Sequence, residues 1–275
     1  MVSLPEIAEV ETVRNTLKKQ ILNKKIKKVN IRYAKMIESD LKDFVSILEG
    51  NEFLDIKRRG KWLIFELHDH YLLTHLRMEG KFYLKNEELP LEKHEHIIFT
   101  FDDNTDLRYH DTRKFGRMNL IKKEDLENTE AIKKQGEEPF SKNLTAIYLK
   151  EEFSKKKLPI KTVLLDQTII SGLGNIYANE VLFAAKINPL KKSCDLSKQE
   201  CQNIVLATNE IIERAIKMGG TTIKSYTSSL GVTGRFQQKL MVHKRENEPC
   251  KVCSEKIVNI KIGGRSTYYC PFCQK

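Results

Sequence analysis

The sequence is poor in several features that mark common classes of protein. Of its 275 residues only 7 are proline, 13 are glycine and 1 is tryptophan. It has no internal repeat and no low-complexity linker, so we expect neither a repeat architecture nor domains on flexible tethers. It also has no long apolar run and no secretory signal segment, so we expect a soluble intracellular protein with no membrane segment.

Acidic residues are scarce relative to basic ones. Lys and Arg number 48 against 37 for Asp and Glu, which gives a formal net charge of +11. A basic globular protein favours a polyanionic partner, most often nucleic acid. A lysine-rich, solvated surface without such a partner explains the charge equally well, so charge alone leaves both interpretations open.

Four of the six cysteines have the spacing of a structural zinc site. Two Cys-x-x-Cys turns each bring two sulfurs onto one metal, and four thiolates leave no open position for catalysis. The predicted ligands are Cys250, Cys253, Cys270 and Cys273. Free or redox-active thiols are the alternative. Cys194 and Cys201 lie outside this set and are expected to be free thiols in a reducing compartment.

The segment between the two cysteine pairs predicts a β-hairpin. Residues 256–262 alternate in polarity, the pair Gly263-Gly264 follows, and a second extended run covers 266–269. This arrangement sets Arg265 just past the turn. The zinc is therefore expected to support an exposed arginine and to take no part in chemistry itself.

The remaining periodicity predicts three further regions in order along the chain. An amphipathic helix over 9–22 follows Pro5-Glu6. Frequent short strands then indicate a β-sandwich or barrel; they cover 26–33, 62–67, 71–76, 81–84, 96–101 and 107–110. A helical region comes next, with helices over 144–153, 162–167, 175–185 and 197–217.

A glycine-rich turn, residues 172–174, opens the helix at Asn175. It lacks the Gly-Lys-Ser/Thr of a Walker loop, and it is not the strand-ending G-x-G-x-x-G of a dinucleotide site. Its backbone N–H groups and the Asn175 amide suit a DNA phosphate. An ordinary corner between two helices is the alternative.

Taken together, eight segments resemble the formamidopyrimidine-DNA glycosylases, bacterial enzymes that remove oxidised purines from DNA. The likeness covers nearly the whole chain and keeps the family's order and spacing. The segments are Pro5-Glu6 with 9–13, then 58–61, 75–81, 93–96, 111–116, 172–177, 233–236, and the finger with 264–267.

The resemblance implies an α+β multidomain fold. It consists of an N-terminal helix with a β-sandwich, a helix–two-turn–helix domain and a C-terminal β-hairpin zinc finger with one Zn²⁺. We expect these domains to span 1–130, 131–236 and 237–275. The implied partner is double-stranded DNA with oxidised purines or abasic sites, bound by a monomer in the bacterial cytoplasm, at the nucleoid, with no membrane contact.

The resemblance also implies a catalytic set. Pro5, as a terminal secondary amine, attacks C1′ of the damaged nucleotide while Glu6 transfers protons at the sugar. Lys61 takes part in proton donation near the base and in β-elimination. Arg265 holds the lesion's phosphates and assists δ-elimination. On the residues alone, Pro5-Glu6 is equally a helix start and residues 58–61 a basic strand edge.

Further residues match positions that contact DNA in the family. His94, Lys156 and Asn175 match phosphate contacts, and Lys161 matches a lysine near the lesion. Met78, Arg113 and Phe115 match the set that fills the gap left by the extruded base. Residues 221–236 match a lid over that base.

Several of these residues also have an interpretation that does not involve DNA. Core packing is the alternative for Met78 and Phe115. A metal pair is the alternative for His94 with His96, although no further ligand is evident. Ile7 and the gap-filling set favour the oxidised-purine branch over the sister enzyme endonuclease VIII, which acts on oxidised pyrimidines.

The start of the chain departs from the family. Four residues precede Pro5 and make its nitrogen a tertiary amide, which cannot attack. The ungapped match, which keeps 9–13 in register, predicts that the start is misassigned and that translation begins at the codon for Leu4. A gapped match instead puts Val2 at the nucleophile position. If Met1 to Leu4 is retained, the alternative is a non-catalytic damaged-DNA-binding homologue. A zinc-bearing RNA- or ribosome-binding module is a third reading, and it leaves the gap-filling set unexplained.

Overall fold

The computed structural model describes residues 5–221 and 234–275. Of these, residues 5–133, 219–221 and 234–235 form one compact unit, and Lys134–Met218 with Phe236–Lys275 form a second. Most of the expected lid, 222–233, lies outside the described residues. The domain limits given above remain predictions.

The first unit opens with the expected amphipathic helix. Helix α1 spans Ile7–Ile21, two residues longer at its start than the apolar pattern indicates. Its apolar side is fully buried and includes Val10, Val13 and Leu17. Because these side chains recur at helical spacing, they pack together against the sheets.

Two four-stranded antiparallel sheets follow, and they form the predicted sandwich. Their strands are β1 (Ile26–Ile31), β2 (Asp55–Arg59), β3 (Trp62–Glu66), β4 (His70–His75), β5 (Lys81–Asn86), β6 (Glu95–Phe101), β7 (Thr105–His110) and β8 (Arg117–Lys122). One sheet has the order β1-β6-β7-β5 and the other β2-β3-β4-β8. The ring of Phe53 lies 5.1 Å from that of Phe65 and 5.9 Å from that of Phe99, so both sheets share one core.

Strand β2 was not predicted, and neither were the last strand of this unit and its two short helices. Helix α2, Leu41–Leu48, is short and begins where the Asp40 carboxylate accepts the N–H groups of Lys42 and Asp43. Strand β8 pairs with β4 and completes the second sheet. A four-residue helix, α3 (Glu130–Lys133), closes the unit.

The second unit holds four helices and the hairpin among its described residues. They are α4 (Ala146–Ser154), α5 (Ile160–Val163), α6 (Asn175–Ala184), α7 (Lys198–Lys217), β9 (Val258–Ile262) and β10 (Arg265–Tyr269). The helix expected over 162–167 was wrong in its limits. The chain turns at Asp166, whose carboxylate accepts the N–H and hydroxyl of Thr168 and so offers the backbone a partner outside a helix. Among the described residues, no helix is long and apolar enough to cross a membrane.

A buried arginine fixes the loop between β5 and β6, which ends at His94. The Arg108 side chain is fully buried, and all five of its N–H donors have acceptors. Its carboxylate partners are Asp106 at 2.9 Å and Glu95 at 3.2 Å. Its other acceptors are the carbonyls of Asn86, Leu89 and Pro90. The loop is therefore held from inside by one side chain.

Replacing Arg108 with Met is expected to destabilise the first unit by about 3–5 kcal/mol, because the buried Asp106 carboxylate loses its counter-charge and a second buried carboxylate loses one of its two cations. Urea unfolding followed by fluorescence measures this directly, since the single tryptophan, Trp62, lies in this unit. Lys122→Met is the matched control: its partner Glu124 is 76% exposed, so the loss stays below about 1 kcal/mol. Equal effects of the two substitutions would contradict this account.

Candidate nucleic-acid interface and metal centre

The start of α1 brings the predicted catalytic pair next to a residue that the sequence did not single out. Pro5 and Glu6 are buried at the head of the helix. The Glu9 carboxylate accepts the Glu6 N–H at 3.0 Å, and its other oxygen accepts the N–H and hydroxyl of Thr221. Gly220, with φ +76°, lies so close to Glu9 that a Cβ would fall 2.8 Å from its carboxylate. Glu9 thus ties the candidate site to the residue where the expected lid begins.

Lys61 lies in the tight turn between β2 and β3. The turn closes where Arg59 pairs with Trp62, and a positive φ of 55° at Gly60 makes it possible. Arg58, just before it, is not a free strand-edge charge, because its Nε lies 2.9 Å from the Glu11 carboxylate. Lys61 is therefore displayed on a rigid hairpin.

A neutral histidine supports the turn that carries Met78. The His75 ring packs on Trp62 with centroids 4.8 Å apart. Burial, followed by the charges of Arg77 and Lys61, lowers the pKa of His75 to about 3, so its ring is neutral at physiological pH. Its Nδ1 accepts the N–H of Arg77 at 2.9 Å and fixes the backbone next to Met78.

One buried carboxylate presents the other two gap-filling candidates. Asp111 is fully buried and accepts the N–H groups of Arg113, Phe115 and Gly116 at 2.8 to 2.9 Å. The Phe115 side chain is 45% exposed, and the Arg113 guanidinium lies 4.7 Å from its ring centroid. Core packing, the alternative for Phe115, is therefore wrong. Met78 is half-buried and also lies outside the core.

The two gap-filling loops share one anchor. A Cβ at Gly80 would fall 2.1 Å from the Tyr109 hydroxyl, and one at Gly116 would fall 1.8 Å from it. The buried Tyr109 side chain therefore passes against both glycines, one at the end of each loop. Any larger residue at either position would push its loop away.

His94 lies beside two other histidines at the start of β6. Its ring centroid is 5.7 Å from that of His110 and 6.3 Å from that of His96. Burial is the main cause that lowers the pKa of His110 and of His96, so both are neutral at pH 7. Among the described residues, the only group of three or more side chains placed to hold a metal is the four cysteines, so His94 and His96 belong to no such group.

In the second unit, two predicted DNA-contact residues meet. Lys161 is fully buried, and its ammonium donates to the Asn175 carbonyl at 3.0 Å. The Asn175 amide donates to the carbonyl of Ser266 at 2.9 Å. The first residue of α6 is thereby bonded to the strand that begins at Arg265.

Lys156 and Arg265 line one groove of about 230 Å³. Thr162, Asp166 and Gly263 supply the rest of its polar or backbone wall, and apolar side chains complete it. The Lys156 ammonium is paired with the Asp166 carboxylate at 2.8 Å. Sequence reasoning selected Lys156 and Arg265 but missed Asp166.

The four predicted zinc ligands do converge. Their sulfurs all lie within 4.8 Å of one another; that of Cys250 is 3.9 Å from that of Cys273, and that of Cys253 is 3.4 Å from that of Cys270. A tetrahedral ion with Zn–S bonds of about 2.3 Å sets its sulfurs about 3.8 Å apart, so the cluster fits zinc. The site is a closed, structural one.

The hairpin above the zinc site has the predicted turn. Gly263 and Gly264 both have positive φ, 56° and 75°, as a two-residue hairpin turn requires. Ile262 pairs with Arg265 across it. Arg265 is exposed at the first position of β10.

A buried glutamate, which no local pattern indicates, fixes the segment leading into the finger. The Glu180 carboxylate on α6 accepts the N–H groups of Met241, Val242 and His243 at 2.7 to 3.0 Å. Burial raises the pKa of Glu180, and these three bonds oppose that rise. A glutamate in a helix pattern reads as a solvated residue, so only the tertiary structure shows this contact.

Comparison with known proteins matches every region of the chain. Three family models fit: the formamidopyrimidine-DNA glycosylase N-terminal domain over residues 4–118, its H2TH domain over 135–227, and the zinc finger found in FPG and IleRS over 247–275. A Listeria monocytogenes formamidopyrimidine-DNA glycosylase is 45% identical over 99% of this chain and 100% of its own length.

Solved structures agree in fold. Lactococcus lactis Fpg in complex with DNA containing an abasic site matches with a TM-score of 0.93 and 39% identity, covering 98% of this chain and 99% of that one. MutM in complex with DNA containing carbocyclic 8-oxo-G matches with a TM-score of 0.92 and 40% identity, covering 98% and 100%. The chain belongs to the formamidopyrimidine-DNA glycosylase family.

Replacing Cys253 with Ser is expected to reduce bound zinc from one ion per chain to a small fraction, because zinc binding supplies most of the folding free energy of such fingers. Metal analysis of the purified protein measures it. Cys194→Ser is the matched control, since its thiol is outside the cluster. Full zinc content in the Cys253 variant would exclude this site.

Proposed function

We propose that this chain is a bifunctional DNA glycosylase and lyase that removes oxidised purines, 8-oxoguanine and formamidopyrimidines, and cuts the strand at the resulting abasic site. The observation that carries this is the 45% identity over 99% of the chain with a glycosylase of that name, together with the match of residues 247–275 to the zinc finger found in FPG and IleRS. Abasic-site lyase activity is typical of the family. One Zn²⁺ holds the finger and supplies rigidity.

The proposed chemistry begins at the head of α1. The Pro5 nitrogen, as a free secondary amine, forms a bond to C1′ while the C1′–N bond to the base breaks, and the base leaves with a proton. Glu6 transfers protons at the sugar, which opens to give an iminium. Lys61 serves proton donation near the base and the β-elimination that breaks the C3′–O bond.

Arg265 is proposed to hold the phosphates flanking the lesion and to assist the δ-elimination that breaks the C5′–O bond. A guanidinium suits this task because it stays charged and offers paired donors to a phosphate. Its place at the first position of β10, beyond a rigid two-glycine turn, supports the proposal.

The remaining candidates are proposed to bind the DNA around the extruded base. Phe115, Arg113 and Met78 fill the gap: Phe115 wedges into the stack, Arg113 pairs with the orphaned cytosine, and Met78 fills space. The phosphate contacts are His94, Lys156 and Asn175, with Lys161 near the lesion. We further propose that the protein acts as a monomer on bacterial chromosomal DNA in the cytoplasm.

The alternative of a damaged-DNA-binding protein without catalysis is not favoured, since the matched relatives are named as glycosylases. An RNA- or ribosome-binding module does not account for the match to the N-terminal glycosylase domain.

Borohydride trapping on a duplex with one 8-oxoguanine opposite cytosine tests the nucleophile. Protein in which methionine directly precedes Pro5, and is removed, is expected to crosslink at Pro5, because borohydride reduces the iminium to a stable amine. Protein that keeps Met1 to Leu4 is the matched control and should not crosslink at Pro5, whose nitrogen is then an amide.

The mapped crosslink separates the readings of the N-terminus. A crosslink at Val2 in the longer protein would favour the gapped alignment and a primary-amine nucleophile. Tight binding of lesion DNA by both proteins, with no base release by either, would make the non-catalytic binder the better description.

Replacing Arg265 with Ala is expected to leave β-elimination as the last efficient step. The product should then keep the unsaturated sugar fragment on its 3′ end in place of a 3′-phosphate, and gel mobility distinguishes the two. Lys261→Ala, an exposed cation on the neighbouring strand β9, is the control. Equal loss of 3′-phosphate in both variants would assign the effect to general charge.

A further inference from the structure

Lys156, a proposed phosphate contact, already forms an ion pair with a carboxylate of the same chain, Asp166. Its ammonium lies 2.8 Å from the Asp166 carboxylate, and the two side chains are 32% and 31% exposed. The Ser193 hydroxyl donates to the Lys156 carbonyl at 2.6 Å and fixes the lysine's backbone. The lysine is thus held at both ends.

Asp166 is itself held in place for this contact. Its other oxygen accepts the Thr168 N–H at 3.0 Å and the Thr168 hydroxyl at 2.7 Å. Burial opposes ionisation, but the bonds from Lys156 and Thr168 outweigh it and hold the pKa of this carboxyl below its usual value. A charged, oriented carboxylate therefore occupies the place at the ammonium that a phosphate oxygen would take.

The other cation of the groove, Arg265, has no such partner among the described residues. Arg265 lines the same groove as Lys156 and Asp166, and it is exposed. Across residues 5–221 and 234–275, no carboxylate forms an ion pair with its guanidinium. One groove thus presents an unpaired arginine beside a lysine that is neutralised from within.

We propose that Asp166 is a specificity-determining residue that competes with DNA phosphate for Lys156. This inference rests on the proposed DNA-binding function. A phosphate on undamaged DNA that reaches Lys156 alone must displace Asp166 and gains little. A phosphate backbone seated in the groove, as at a lesion, meets Arg265 as well, and the two contacts together displace the carboxylate. Asp166 therefore weakens binding to undamaged DNA more than binding to lesion DNA.

Asp166→Asn is the sharpest test, because asparagine keeps the shape and an oxygen for the Thr168 bonds but loses the charge. It is expected to tighten binding to undamaged duplex about 2- to 5-fold, the range of coupling seen for partly exposed ion pairs. The slope of log K against log salt should steepen by about 0.9, as one more phosphate is neutralised. Binding to the same duplex with a tetrahydrofuran abasic analogue should change less, so the specificity ratio falls. Fluorescence anisotropy over a salt series measures all three.

Glu152→Gln is the matched control. It adds the same unit of charge close by in the chain, at Glu152, which is 28% exposed and pairs with the exposed Lys155. If the proposal is correct, Glu152→Gln changes the affinity for both duplexes by the same factor and leaves the specificity ratio unchanged. In a Lys156→Ala background, Asp166→Asn should not tighten binding to undamaged duplex at all. A gain that persists there, or a gain equal to that of Glu152→Gln, would overturn the proposal.

Zinc content and thermal unfolding show whether Asp166→Asn is folded. If it is not, a second variant tests the proposal. Lys156→Gln should weaken lesion binding more than binding to undamaged duplex, since Asp166 already cancels this lysine on undamaged DNA. Equal weakening of both would overturn the inference. Failure of the unmodified protein to bind either duplex would instead count against the proposed function.

Discussion

A charged side chain buried among backbone groups is stable only when its hydrogen-bonding atoms have partners, and the loops of the candidate site are built on that requirement. Asp111 gathers three N–H groups and so presents Arg113 and Phe115 to solvent. Arg108 gathers three carbonyls and two carboxylates and so fixes the loop that ends at His94. Glu180 does the same for the segment that leads into the finger. Buried side chains therefore fix these loops from inside the protein.

The pattern of the sequence predicted the elements whose signal is local. Each cysteine pair, the Gly263-Gly264 turn and the apolar repeat of α1 are patterns of residues that are close in the sequence, and each prediction was confirmed. Helix α2 was missed because it is short and buries only Phe44 and Leu48. The helix expected over 162–167 was misplaced because a side-chain bond from Asp166 competes with the helical backbone bonds.

The candidate site was predicted unevenly for the same reason. Exposed residues with a motif around them, such as Arg113 and Phe115, can be selected from the sequence. The residues that position them cannot, because their partners are distant in the chain. Glu9 contacts Thr221, and Glu180 contacts Met241, across a separation that no local pattern records.

Net charge conceals how the cations are used. Lys18, Lys24 and Lys57 are paired with carboxylates of the same unit, so these three lysines contribute to the folded surface of that unit. A cation is therefore available to bind phosphate when no carboxylate of the protein pairs with it, or when a phosphate can displace that carboxylate. Among the described residues, Arg265 has no carboxylate partner, whereas Arg108 has two buried ones. Lys156 is intermediate, because its single carboxylate partner is partly exposed. The four thiolates leave zinc no open position for chemistry, and the hairpin next to the zinc site carries Arg265, whose guanidinium forms no ion pair among the described residues.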